Sequence, residues 1–491
     1  MALGGSLNKG IGIGIGPGGG GPSTPPTPPF SGMIIDVDTT IFQSQGSGTN
    51  QIRLPFQPNS FNYNGNPTGL NLDIIVDWGD GTSDTYNTNP TVDYEVSHTY
   101  ASAGVYTIKI DSPSQSIQGW SLHGGTSQVN KYDGRKLIDL KQWGYFDFAG
   151  NILSPSGANV SYQVGYNFAQ ADNMIISATD TPIISGDSLR DVFASYQGPN
   201  GTTFEIANLN NWDVSNVTLF ENMFSVSQSG SYTSPIGDVS NWDMSNATDI
   251  SGMFNGSDFT GDVSNWNTSN VTDMRSCFAS TPGNPDLSNW DISSVTGSGL
   301  DNLFGDCQNF TGGTWLNNWV FNAGLNKLQR IFNNTKMNTP LNNWGSQVGN
   351  VNSFYGLFQN NTVFNQDISN WDISGTYNTG NGPYGVLDMF SGASSFDQDL
   401  SAWDMQATSC IARFMGNNLS FDPEVSPAKY DNMLVAFGAR IPYTNAKNSS
   451  WCGSQVWSFG KSKYNLSNSA AVAGRNALIS DMGGIVDGGG I

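Results

Sequence analysis

Asp213, Asp243, Asp291, Asp372 and Asp404 are the first candidates for chemistry, and each directly follows a tryptophan. A carboxylate pair is what glycoside hydrolysis needs, one group to protonate the leaving oxygen and one to act as base or nucleophile. These aspartates instead recur at one place in a repeated phrase, Asn-Trp-Asp-x-Ser, whereas an active site needs one distinct pair. Recurrence points to a backbone-tying role and to a protein that is not an enzyme. A second group, Asp77, Asp80 and Asp84, has the close spacing of hard oxygen donors that suits a weak calcium site. The competing reading has Asp80 capping a turn, since no full EF-hand loop surrounds the three. No other cofactor is expected.

Histidine and cysteine add little. His98 and His123 are the only histidines, too few for imidazole catalysis or a zinc centre, and His98 is expected to be a structural hydrogen-bonding residue. Cys277, Cys307, Cys410 and Cys452 show no C-x-x-C spacing and are too few for a disulfide framework. Cys277 precedes Phe278 as Met223 and Met253 precede Phe224 and Phe254, so it reads as a small core residue. No disulfide between Cys277 and Cys307 is expected.

The elements that carry the aspartates are set by tryptophan spacing. Trp212, Trp242, Trp266, Trp290, Trp319, Trp344, Trp371 and Trp403 follow one another at intervals of 24–32 residues, about 27 on average, inside the range of stacked repeats. After each Trp the apolar positions take helical spacing, as in Val217, Phe220 and Phe224, or Val271, Met274 and Phe278. The pattern predicts one short helix per coil, with Ser215 or Asn216 and Ser269 or Asn270 as N-caps. Before the Trp, segments such as 364–370 and 396–402 read as short strands. The Trp ladder is expected to be structural core rather than a sugar-stacking platform.

Upstream, residues 1–31 are a Gly/Pro-rich anchoring or linker segment, in which Ile11, Ile13 and Ile15 alternate with glycine and could add as an edge strand to another protein. Glycines interrupt any apolar stretch there, so an ordinary secretory signal is not expected. Residues 72–78 and 105–110 read as strands around the Gly79-Asp80-Gly81 turn, and residues 137–144 as a strand opening the repeats. Net charge is −21 from 19 basic and 40 acidic residues, which repels phosphate backbones and argues against a nucleic-acid partner. No run is long and apolar enough for a membrane span.

Two resemblances follow from these residues. Val76-Asp77-Trp78-Gly79-Asp80-Gly81-Thr82, with Val96-Ser97-His98-Thr99-Tyr100 and Ala103-Gly104-Val105-Tyr106-Thr107-Ile108, resembles the polycystic kidney disease (PKD) type of immunoglobulin-like module, which implies a non-catalytic extracellular spacer. The repeats, covering roughly residues 137 to 437, resemble the BspA-like leucine-rich-repeat surface proteins. The departures are Trp319-Val320 and Trp344-Gly345, which lose the Asp, and an insertion at Gly297-Ser298-Gly299. Residues 429–437, 462–464 and 470–479 look like the terminal cap of such arrays.

The expected fold is mainly β with short helices: the 1–31 segment, a PKD-like β-sandwich over 32–115, a leucine-rich-repeat-like solenoid of about 27-residue coils over 116–437, and a C-terminal cap over 438–491. The function expected is structural or adhesive: a phage or virus virion component, a fibre or capsid decoration, bound to other virion proteins through residues 1–31. A host-surface glycan or protein is its expected target. The alternatives are a secreted bacterial surface adhesin and, least favoured, a polysaccharide-degrading fibre. The insertions 225–237 and 374–384 are the expected contact surface.

Overall fold

The computed structural model describes residues 29–41, 47–56, 72–88, 96–117, 120, 133–148, 168, 171, 173–194, 206, 208–226, 236–376, 385–406, 408, 410–416, 421–443 and 457–491. The chain divides into two compact units, Met1–Ser31 and Gly32–Ile491; the second is described below. It is mainly β, with two α-helices among the described residues.

Strands β1 (Met33–Asp38), β2 (Gln51–Leu54), β3 (Leu72–Asp77), β4 (Ser83–Thr88), β5 (Val96–Thr99), β6 (Val105–Asp111), β7 (Leu137–Gln142) and β8 (Ile175–Ile176) come first. Six of them form one open sheet in the order β4-β3-β6-β1-β7-β8, and β2 pairs with β5. In β1, Met33, Ile35 and Val37 are fully buried and alternate with half-buried residues, the period-two pattern of a strand with one face on a core. β1 pairs antiparallel with β6 on one side and β7 on the other. One sheet therefore runs across residue 115, from the first β elements into the first repeat, and β7 passes the ladder on through its parallel pairing with β8.

From there the chain climbs in levels joined by isolated parallel bridges, Ser188 to Leu219, Leu219 to Asp249 and Asp249 to Asp273. Among the described residues the α-helix expected after each Trp does not form, and only short 3-10 turns, Gln347–Asn350 and Ser374–Thr376, follow Trp344 and Trp371. In the level that starts at Ile250, the backbone N–H groups of Ile250, Gly252, Phe254 and Gly256 donate to Asp273, Arg275, Cys277 and Ala279 of the next level at 2.7–2.9 Å. The intervening N–H groups of Met253, Asn255 and Ser257 close local turns on Ile250, Gly252 and Phe254. A helix would send each N–H to the residue four back in its own segment, so half of these donors would be lost to the stack.

Positive φ enforces the choice. It occurs at Asn222 (54°), Gly252 (63°), Ser276 (53°), Asn302 (58°), Arg330 (53°), Gly356 (59°) and Asp388 (53°), the same place in successive levels, and a left-handed residue cannot continue a right-handed helix. A second such position follows four residues later, at Gly256, Ser280, Asp306, Asn334, Asn360 and Gly392. This four-residue turn repeat mimics the helical period in the apolar pattern. Ser215 and Ser269 accordingly cap no helix; their N–H groups donate to Asp213 and Asn267.

Among the described residues the strands expected before each Trp, as at 364–370 and 396–402, are also absent. Asn and Gln side chains replace the backbone ladder there: Asn365 N donates to Asn338 Oδ1, and Asp397 N donates to Asn365 Oδ1, at 2.9 and 2.8 Å.

Two aromatic columns fill the interior. Phe193, Phe224, Phe254, Phe278, Phe304, Phe332, Phe358 and Phe390 stack face to face at 5.6–6.3 Å with interplanar angles up to 16°. Trp242, Trp266 and Trp290 form a parallel column at 6.4 and 6.0 Å, as do Trp319, Trp344 and Trp371 at 6.3 and 5.8 Å. Six indole N–H groups donate to the carbonyl three residues before the previous Trp: Trp242 to Leu209, Trp266 to Val239, Trp290 to Val263, Trp344 to Leu316, Trp371 to Leu341 and Trp403 to Ile368.

The far end holds helices α1 (Pro427–Gly438) and α2 (Ser469–Met482), with β9 (Trp457–Ser458) and β10 (Ile485–Val486) paired in parallel. The helices cross where Gly438 meets Gly474: a Cβ on Gly438 would lie 2.4 Å from the Gly474 Cα, so only glycine permits this approach. Tyr430 donates to Asp487 at 2.8 Å, and Arg475 grips the same carboxylate with two nitrogens at 2.8 and 3.0 Å. No helix among the described residues is long and apolar enough to cross a membrane.

Candidate interaction surface

The repeated aspartates form rows along the stack. Asp213, Asp243, Asp291 and Asp372 each accept a hydrogen bond from the backbone N–H of the Ser two residues on, at 2.9–3.1 Å, and Asp404 does the same for Gln406 at 3.0 Å. A second row, four residues before the Trp, makes the same turn: Asp238, Asp262, Asp286, Asp367 and Asp399 accept from Ser240, Ser264, Ser288, Ser369 and Ser401 at 2.8–3.0 Å. These are Asx-turns, in which a short carboxylate replaces a backbone acceptor. The second row escaped the sequence reading, although the phrase Asp-x-Ser-Asn-Trp that carries it is visible beside the first.

Serine donation sets the charge state of the rows. The side-chain bond from Ser215 to Asp213, from Ser245 to Asp243 and from Ser374 to Asp372 holds each carboxyl below its ordinary pKa, and the Ser264 backbone bond does so for Asp262. The aspartates of a row are thus engaged alike from level to level. Between levels, Asn amides add a further column: Asn246 donates to Ser215 O, Asn270 to Ser245 O and Asn322 to Ser293 O, each at 2.7 Å.

The proposed calcium trio is not assembled. Asp77 accepts from Gly79 N at 3.0 Å, Asp84 from the Trp78 indole at 2.8 Å, and Asp80 from Thr82 N at 3.0 Å and Thr82 Oγ1 at 2.6 Å. Asp80 also meets His98 Nε2 at 2.9 Å, and the Thr82 and His98 bonds bring its pKa down to about 2. Asp77 and Asp80 serve turns while Asp84, in β4, holds the Trp78 indole, and no group of three His, Cys, Asp or Glu among the described residues could hold a metal ion. His98 stacks on Trp78 at 4.9 Å and meets Tyr100 edge-on at 4.6 Å.

Other charged groups are structural. Lys136, fully buried, donates to Ser47 Oγ, Gly48 O and Gln51 O at 2.8–2.9 Å and lies 3.5 Å from Asp133; burial pulls its pKa down. Along the left-handed column, Arg190 pairs with Glu221, Arg275 with Asp273 at 2.7 Å and Arg413 with Asp388 at 2.5 Å, while Arg330 stacks over Tyr355 at 4.6 Å. Asp301 accepts from Gln329 N at 2.9 Å, and burial pushes its pKa up to about 6. Neither the buried lysine nor this column carries a sequence motif.

Cys277 and Cys307 are buried free thiols, and Cys410 is disulfide-bonded. Ile11, Ile13, Ile15, His123, Cys452 and the insertion segments 227–235 and 377–384 lie outside the described residues.

The eight Trp of the ladder are all at least nine-tenths buried, and Trp319, though 4% exposed, has no partner for its indole N–H among the described residues. Its neighbours also depart from the rows. Val320 and Gly345 stand where the first row has Asp, and Trp315 and Pro340 stand where the second does.

No curated protein and no solved structure matches the chain. Residues 187–319, 226–344 and 298–428, together just under half of its length, match the family described as Mycoplasma protein of unknown function, DUF285. The stacked levels are thus similar to that family, and the match loosely fits a BspA-like repeat protein.

Proposed function

We propose that this chain is a non-enzymatic attachment protein: a PKD-like β-sandwich followed by a BspA-like solenoid that displays its stacked levels as a binding surface. One observation carries the reading. The aspartates that could have acted on a substrate are each engaged in the same Asx-turn, level after level, so the repeat residues build a scaffold and leave a surface. The disulfide at Cys410 supports an oxidising, extracellular setting.

The first setting proposed is a virion, as a fibre or capsid decoration, with the Gly/Pro-rich residues 1–31 docking onto other virion proteins and the repeats meeting a host-surface glycan or protein. Composition supports that role for the leader, because alternating Gly and Ile offers an edge strand without a core of its own. The second setting is a bacterial cell surface, favoured by the similarity to a Mycoplasma family. Antibody labelling of native particles and of intact cells, read by electron microscopy, separates the two. Labelling of particles supports the first, labelling of cells the second, and label on neither overturns the attachment reading.

A further inference from the structure

Both carboxylate rows break at the same place. Asp286 and Asp291 flank Trp290, and Asp367 and Asp372 flank Trp371, all exposed. At the levels between them, Trp315 and Val320 flank Trp319, and Pro340 and Gly345 flank Trp344. Val320 is 63% exposed, exceeded among the described large apolar residues only by Phe421 at 67%. Trp315 and Phe321 are half-buried against the core, with the Trp315 ring 5.4 Å from Trp319. The indole column also slips here, since Trp319 lacks the N–H bond made by Trp290 and Trp344. The result is an uncharged window, roughly 10 Å tall at the spacing of adjacent strands. Acidic rows frame it at both ends, and no Lys or Arg occurs in 286–291, 312–324, 338–347 or 367–372.

We propose that this window docks a basic protein segment, one that seats an apolar side chain against Trp315, Val320 and Phe321 and sets lysines or arginines against the flanking aspartates. An apolar, aromatic centre with a charged rim is the anatomy of a protein interface, and Trp is enriched among the residues that dominate binding. The rim selects the partner's sign: carboxylates at both ends attract a cationic segment and repel an anionic one. The proposal rests on the attachment reading above and assigns it a site.

The window can be closed with the repeat's own residues. Val320→Asp and Trp315→Asp place in these levels the residue that neighbouring levels already hold, and Val320→Asp alone serves if the Trp315 change disturbs the core. The probes are a synthetic peptide with one leucine between lysines and the same peptide with glycine for the leucine, titrated against the full chain by fluorescence anisotropy. The native chain is expected to prefer the leucine peptide by at least about tenfold, a margin typical of an interface anchor, and the Val320→Asp chain to lose that preference. Equal binding of the two peptides, no binding, or unchanged preference in Val320→Asp overturns the proposal. Perturbation of Trp315 by maltotriose without leucine selectivity overturns it in favour of a sugar site. Leucine selectivity in a chain found on neither particles nor cells would remove the attachment reading alone. Attachment that survives Val320→Asp would remove the window alone.

Discussion

The indole nitrogen of Trp266 donates to the carbonyl oxygen of Val239 at 3.0 Å, and Val239 lies three residues before the Trp of the preceding level, Trp242. The bond explains why the column uses Trp rather than Phe. A polar handle on a large apolar ring gives the Val239 carbonyl a second donor beside the Trp242 N–H and fixes the register of one level on the next.

Trp266→Phe keeps an aromatic ring but removes that bond, leaving the Val239 carbonyl with the Trp242 backbone N–H alone. Beyond the loss of ring volume, it is expected to cost about 0.5–1.5 kcal/mol in chemical denaturation. Trp319→Phe has no such bond to lose and should lack this component. Equal losses at the two sites would show that the hydrogen bond is not what distinguishes them.

The Asx-turn carboxylates and Asp301 respond to pH in opposite directions. Asp213, Asp243 and Asp372 have folded pKa values below their unfolded ones. Their stabilisation is present above the ordinary carboxylate pKa and is lost as pH falls through the lower folded values. Asp301, raised by burial to about 6, stabilises when protonated, and that contribution is lost as pH rises through 6. Asp301→Asn should therefore raise stability by about 2–3 kcal/mol at pH 8 and much less near pH 4. Melting temperatures of both chains across pH 4–8 check the crossover.

The left-handed column makes a prediction for glycine. Gly252 has φ +63°, and a Cβ there would sit 2.2 Å from Asn222 Oδ1. Gly252→Ala is expected to destabilise by about 1–3 kcal/mol. Arg330→Gly, at the equivalent position with φ 53°, relieves backbone strain while removing the contact with Tyr355. It should be the milder change in the same denaturation assay.

The pairing of β1 with β7 makes the first β elements part of the repeat stack. A chain beginning at residue 116 would expose the β7 edge that pairs with β1, and such edges aggregate. Residues 32–491 are expected to melt in one transition and the shortened chain to be insoluble. A soluble, monomeric product with an undiminished melting temperature would show that the two parts fold independently.

Thiol labelling checks the cysteines. The native chain should react little, because burial shields Cys277 and Cys307 and pushes both thiols up in pKa. The denatured, unreduced chain should label at those two positions, and reduction should release further thiol from the disulfide at Cys410.

The sequence by itself determined the period, the identity of the core rings and the uniformity of the aspartates, because a stacked repeat must present the same side chain at the same height. Trp242, Phe254 and Asp243 declare their columns through spacing alone. The conformation between them was decided only by the tertiary structure. Apolar spacing around Phe220 and Phe224 fits a helix, yet their N–H groups go to Asp249 and Met253 of the next level, since a donor shared between levels favours turns that a lone segment has no reason to adopt. The separate engagement of Asp77, Asp80 and Asp84 with Gly79, Thr82 and the Trp78 indole was likewise invisible, because close spacing in sequence does not say which way carboxylates point. The break in the acidic rows at Val320 and Trp315 could be read as letters. It became a surface only when stacking left Val320 exposed and Trp315 and Phe321 half-buried against the core.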